Sequence, residues 1–543
     1  MRPGSRILAF GGILGLGLVW ALTAGSEGAS PLHVSATGAF APSGPTPTAD
    51  APTPSLALGT DAPPATPTAD IAELGRDIDF VLSTGSYRRA EWGVLVYSLD
   101  RGDTLYGRNA DAAMSPASNM KLVTSVAALH YLGADYRYRT WLLADAPIVD
   151  GVLQGDLVLY GTGDPGLGDR YYRDRGEPWR TLAAQLQAAG IHTIQGRIVG
   201  DGSFFSGPLR LLDDWEPDDL NEWYAAPSGA LSYNENVASL RIEPGLAGQA
   251  PIIHSVPDHT GLGVRNEAHT VAGLPRQRIS FLREDPEEPI VVAGEIRQGS
   301  PDVWRQMTIR DPALFAAHGL THTLRDEGIT VQQDPAAVSG IVASPLGSGR
   351  VWTENTRWRV VAEIESPPLL EYLTAVNQRS HNLFADLLLK TLGRSLEGQG
   401  SFAAGARVID RFITVELGIP ASEHHVLDGS GLAPGNRLSP RTLVSALEHA
   451  QTEPYWSALW ESLPEAGGRN LRRMSQTTAS GNLRAKTGTI ADVSALSGVV
   501  LSRDGERLAF SIIGNNLPSE QGAKRLEDRI GVLLAEWRRS VTQ

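Results

Sequence analysis

The chain has 543 residues, which at about 150 residues per domain suggests three or four units, and its 42% apolar and 20% charged residues allow a substantial core. A net charge of −14, from 47 basic and 61 acidic residues, argues against nucleic acid as a partner. Cysteine is absent, so disulfides, thiol catalysis and cysteine-based zinc sites are excluded, and the histidines show no His-Glu-x-x-His or other metal-binding spacing.

Arg2 and Arg6 precede an uncharged apolar run over 7–25 and small residues up to Ala29. This is the order of an export signal, so 1–29 reads as a signal peptide, with a retained signal anchor as the alternative, because the run can span a bilayer. Either way the rest of the chain lies outside the cytoplasm, in the periplasm or envelope space. Residues 30–70 are rich in Pro, Ala and Thr without apolar periodicity and read as a disordered tether. Ile71, Leu74, Ile78 and Leu82 then predict a helix over 71–82. Runs 92–98 and 103–108 flank Asp100-Arg101-Gly102, a hairpin signal, and a helix is expected over 115–132.

From 136 to 350 the chain turns to short strand-like runs broken by Gly and Pro, predicting a β-rich region without long helices. Helical spacing returns after it, and the C-terminal end reads as three strands (484–490, 495–502, 507–513) and a helix (524–538). The expected architecture is an α/β domain, 71–135 plus 351–543, split by a β-rich insertion at 136–350 of one or two extra domains.

Three short motifs carry chemistry. In Ser118-Asn119-Met120-Lys121 the serine and lysine fall on one face of a helix start, with Ser115 as candidate cap and Pro116 at the first helical position. A lysine stripped of its proton by desolvation can activate a serine hydroxyl. Lys486-Thr487-Gly488 sits in a strand-like run, offering a cation, a hydroxyl and a glycine that lets another backbone approach. Ser380-His381-Asn382 lies between helices and supplies a second hydroxyl and an amide. Taken singly, each has a plain structural alternative: a chance pair, an edge strand, a helix cap. Together they are stronger, because only four of the 47 basic residues are lysine and two of these fall in the motifs. Arginine cannot serve as a base near neutral pH.

The order S-x-x-K, S-x-N, K-T-G resembles the active-serine penicillin-recognising enzymes. More closely, the chain is similar to the D-alanyl-D-alanine carboxypeptidase/endopeptidase family of low-molecular-mass class C penicillin-binding proteins (serine peptidase family S13). Family-like stretches at 155–165, 196–204, 215–236, 366–389 and 428–432 support this, as does the long separation of Ser118 from Ser380. The resemblance implies a β-lactamase/transpeptidase-like domain, an antiparallel sheet covered by helices. It implies Ser118 as nucleophile, Lys121 as base and Ser380 as proton relay. Asn382, Lys486, Thr487, Gly488 and Thr489 would hold the substrate, with the amides of Ser118 and Thr489 as oxyanion hole. Trp215, Asp218 and Tyr224 would approach the substrate side chain. The implied partners are a peptidoglycan peptide ending in D-Ala-D-Ala and inhibitory β-lactams, and neither metal nor organic cofactor is needed. Two departures stand out: His381 where aspartate is common, and Ala433-Pro434 where Ser-Arg is frequent. A β-lactamase is disfavoured because Glu216 lies one residue too far from Leu220-Asn221 to match a deacylating glutamate. A non-catalytic penicilloyl-binding sensor or scaffold is the remaining alternative.

Overall fold

The computed structural model describes residues 69–258, 261–283, 288–338, 344–346 and 358–540. The expected leader and nearly all of the tether lie outside them. Folding begins with helix α1 (Ala69–Leu82), which buries Leu74, Ile78, Val81 and Leu82 on one stripe.

The central sheet joins the two ends of the chain. Its strands are β1 (Glu91–Ser98), β2 (Asp103–Arg108), β3 (Arg484–Ile490), β4 (Val493–Leu501) and β5 (Arg507–Asn515), in the order β2-β1-β5-β4-β3. All pairings are antiparallel, and β1 closes on β5 from Glu91 opposite Asn515 to Ser98 opposite Leu508. Because helices cover both faces, β4 and β5 are buried almost throughout instead of alternating. One face shares a core with α1 and the C-terminal helix Glu520–Glu536. The other carries the turn that opens α2 (Met120–Leu132) and the helix Pro440–Gln451, with α3 (Leu369–Asn377) and α4 (Asn382–Glu397) packed against α2.

Two expectations for the middle of the chain need correction. Helices Glu177–Ala188 and Pro312–Asp326 interrupt the β-rich stretch and bury Trp179, Leu182, Phe315 and Leu320. Their apolar stripes were masked in the sequence by the surrounding Gly and Pro punctuation. Strand Arg359–Glu365 was expected in the second catalytic segment, yet it pairs with Arg139–Ala144 at the edge of a five-stranded sheet of the intervening region. The return to the helices that face the central sheet therefore comes after it, at α3. Among the described residues the intervening region has two larger cores and a smaller cluster around Leu143, Tyr160 and Trp358. One of the larger cores lies between that five-stranded sheet and the two helices, and the other between two three-stranded sheets, around Leu240, Ile242, Ile290, Val292 and Met307.

Candidate active site

Ser118 sits in a 3-10 turn, Ala117–Asn119, that runs directly into α2. Ser115 does not cap it: its backbone N–H donates to Asn515 Oδ1 at 2.9 Å, while its hydroxyl is buried. The turn is instead fixed by tertiary contact. Gly488 of β3 passes so close that a Cβ there would lie 2.8 Å from the Pro116 carbonyl and 3.2 Å from the Ser118 nitrogen. Only glycine lets the strand lie against the serine turn. Asn119 donates to Ser497 of β4 at 2.9 Å and ties the turn to the sheet from its other side.

The three motifs converge. Lys121 Nζ, wholly buried, lies 3.0 Å from Ser118 Oγ, 2.7 Å from Asn382 Oδ1 and 2.5 Å from the Ser430 carbonyl oxygen. Ser118 itself is half-buried and remains reachable. Lys486 Nζ, equally buried, donates to Ser380 Oγ at 2.9 Å and to the Thr487 carbonyl at 2.8 Å. Burial drives the Lys121 amine down to about 8, with the carboxylates of Asp386 and Asp428 opposing the fall. Burial also holds Lys486 well below the usual lysine range, and the neighbouring charge of Lys121 adds to that.

Ser380 occupies the loop between α3 and α4 with a left-handed backbone, φ 55°. It caps neither helix; His381 holds the cap position of α4, and Asn382 is the first helical residue. His381 turns away from the serines. Its Nε2 is 2.8 Å from Glu235, which also pairs with Arg170 at 2.5 Å. Burial works to raise the Glu235 pKa, but the hydrogen bonds and charges of His381 and Arg170 hold it at about 2. Thr487 is half-buried and Thr489 exposed, so the end of β3 beyond Gly488 is open to a ligand.

The substrate-pocket candidates separate. Trp215 is only 2% exposed, and its indole N–H donates to Asp428 Oδ2 at 3.0 Å. It packs in the core beside Phe402. Asp218 is exposed, on the short turn Pro217–Asp219. Tyr224 is half-buried; its hydroxyl donates to Asp219 at 2.7 Å, and its carbonyl accepts from Asn382 Nδ2 at 2.8 Å. Glu216 is exposed. Sequence reasoning assigned no role to the Ser430 carbonyl or to the buried carboxylates Asp386 and Asp428. The Gly429-Ser430-Gly431 run, a signal for a tight turn, was the available clue. Among the described residues, no cluster of His, Asp and Glu is arranged to hold a metal ion.

A serine in contact with a buried lysine of lowered pKa, with a second serine–lysine pair and a glycine-bearing strand closing over them, defines an active-serine penicillin-recognising fold and site. Residues 74–537 match the D-Ala-D-Ala carboxypeptidase 3 (S13) family, and the chain belongs to it. It is 33% identical over 484 residues, 86% of each chain, to a D-alanyl-D-alanine carboxypeptidase of Actinomadura sp. (strain R39). It is 26% identical over 427 residues to the D-alanyl-D-alanine carboxypeptidase DacB of Haemophilus influenzae, covering 77% of this chain and 84% of the relative. The crystal structure of penicillin binding protein 4 from Haemophilus influenzae shares the fold, with a TM-score of 0.71 at 23% identity over 87% of this chain and 100% of that one. Membership of this family makes the chain a serine-type D-Ala-D-Ala carboxypeptidase.

Proposed function

We propose that the chain removes the terminal D-alanine from peptidoglycan stem peptides through an ester on Ser118, and that penicillin is trapped on the same oxygen. The carrying observation is the 3.0 Å contact between Ser118 Oγ and a buried lysine whose pKa is lowered to about 8. Ser118 attacks the penultimate D-Ala carbonyl while Lys121 accepts its proton. The N–H groups of Ser118 and Thr489 receive the oxyanion, on a strand that Gly488 allows against the serine turn. The hydroxyl of Ser380, held by Lys486, passes a proton to the leaving amine. Asn382 orients the substrate amide, and Lys486 with Thr487 binds the terminal carboxylate. Water then hydrolyses the ester. A β-lactam acylates Ser118 in the same way but keeps its leaving group tethered, so the ester persists.

The same chemistry serves a DD-endopeptidase, since a cross-linked D-Ala carbonyl presents the same bond. Export by residues 1–29, removed or retained as an anchor, would bring the enzyme to its substrate in the envelope space. Digestion of purified peptidoglycan with and without penicillin, followed by muropeptide analysis, tests the activity. The expected result is penicillin-sensitive loss of terminal D-alanine, with cross-linked muropeptides converted to monomers if the endopeptidase operates. Unchanged muropeptides would overturn it.

A further inference from the structure

A free lysine amine has two N–H groups and one lone pair. The three neighbours of Lys121 Nζ differ in what they can do. Asn382 Oδ1 and the Ser430 carbonyl, at 2.7 and 2.5 Å, only accept; Ser118 Oγ, at 3.0 Å, can donate. When the amine is neutral, the two acceptors take its two N–H groups and the lone pair is left on the line to Ser118. The aim of the base is therefore set by whatever fixes those two oxygens.

One short segment of the intervening region, carrying Trp215 and Tyr224, reaches the supports of both. The Asn382 amide is oriented by its other end, Nδ2, donating to the Tyr224 carbonyl at 2.8 Å. The Ser430 carbonyl belongs to a turn built around the Asp428 carboxylate. That carboxylate accepts from Gly431 N–H at 2.6 Å, Ala433 N–H at 2.7 Å, Asn436 Nδ2 at 2.9 Å and Trp215 Nε1 at 3.0 Å. Gly431 is left-handed, φ 78°, and a Cβ there would fall 1.9 Å from the Ala117 carbonyl, so the turn is pressed against the serine turn itself. Asp428 and Trp215 are fully or almost fully buried, as a four-donor carboxylate and its indole partner must be.

We infer that Asp428 and Trp215 are positioning residues for the general base: through the Ser430 carbonyl they point the Lys121 lone pair at Ser118. Trp215 then acts on the acylation step and not on substrate affinity. The inference rests on Lys121 being the base.

The titratable groups facing Lys121 are Asp386 from α4, which burial pushes well above the usual carboxyl range, Asp428 from the turn, and Lys486 from β3. Negative charge on either carboxyl favours the protonated amine of Lys121. Removing the charge of Asp428 should therefore free the base at lower pH even while the turn loosens.

The experiment is penicillin acylation of the full chain against pH, resolving the limiting acylation rate from the affinity of the initial complex, for wild type, Trp215→Phe, Asp428→Asn and Lys121→Arg. Trp215→Phe keeps an aromatic ring but loses the indole N–H along with part of the bulk, and is expected to slow the limiting rate by about tenfold with the initial affinity unchanged. Asp428→Asn is expected to move the acid limb of the profile to lower pH; should it fail to fold, Trp215→Phe decides alone. A wild-type limiting rate in Trp215→Phe, or a weakened initial complex with that rate intact, would overturn the assignment. So would an unmoved acid limb in a folded Asp428→Asn. Wild-type acylation in Lys121→Arg would instead sink the underlying reading of the base.

Discussion

Helix α4 runs past two buried amines that look alike and behave differently. At its first residue, Asn382 holds Lys121; two turns on, Lys390 is also wholly inaccessible. Burial lowers both, Lys121 to about 8 and Lys390 to about 7. Their partners differ. Lys121 touches a hydroxyl that can give up a proton, beside a half-open turn. Lys390 donates to the carbonyls of Pro208 and Ser228, each at 2.9 Å, and lies 4.4 Å over the ring of Phe402. A depressed lysine thus becomes a base only where a donor hydroxyl and a path for substrate coincide. Lys390 instead staples α4 to the intervening region.

The sharpest way to break this comparison is to alter the catalytic pair. Ser118→Ala should abolish the penicillin ester, read by intact-protein mass spectrometry; adduct persisting on the variant would place the nucleophile elsewhere. Lys121→Arg should slow acylation about 10²- to 10⁴-fold although the positive charge is kept, because arginine stays protonated. Wild-type acylation should rise with pH through about 8, as Lys121 gives up its proton on the way up. A rate flat from pH 6 to 9 would remove lysine from that role.

Lys486→Ala comes next in size. Its amine bridges Ser380 and the strand backbone, and a charge-assisted bond to a carboxylate is worth about 1.5–3 kcal/mol. Turnover of a D-Ala-D-Ala peptide should fall accordingly, and a substrate with an amidated terminus should lose the same factor on wild type. Equal turnover of free and amidated peptides would deny Lys486 that partner.

How far the sequence reached can be judged on the same residues. The motifs were legible because S-x-x-K and S-x-N each mark a helix start, and K-T-G a strand, all readable from local periodicity. The convergence of Ser118, Lys121, Ser380, Asn382 and Lys486 depends on β1 closing on β5 across most of the chain, which no local pattern records. Ser430 acts through its carbonyl, an atom every residue carries, so its side chain gave no signal. Trp215 was placed at the substrate by the resemblance of its Trp-x-x-Asp-Asp stretch to the family's; its N–H donates to a buried carboxylate 213 residues away. Lysine scarcity pointed to Lys121 and Lys486, which the fold brings to Ser118 and Ser380, yet the equally scarce Lys390 is bound to backbone carbonyls.

Lys390→Met should therefore have the smallest effect on chemistry, with acylation of Ser118 within a few-fold of wild type, and its cost should be read in stability. Methionine fills the space but leaves the Pro208 and Ser228 carbonyls without their donor, at a cost of about 1–3 kcal/mol. The pH dependence has a definite sign. In the folded protein Lys390 loses its proton near pH 7, whereas in the unfolded chain lysine keeps it to about 10.4. Between those values the unfolded state binds the extra proton, so this group makes stability rise with pH. The variant lacks that contribution, and the gap in thermal midpoint between wild type and Lys390→Met should widen from pH 7 to pH 10. A gap that narrows over this range would show that Lys390 is charged in the folded state. A variant that melts like wild type but acylates slowly would move Lys390 from the staple to the chemistry, and the contrast along α4 would fail.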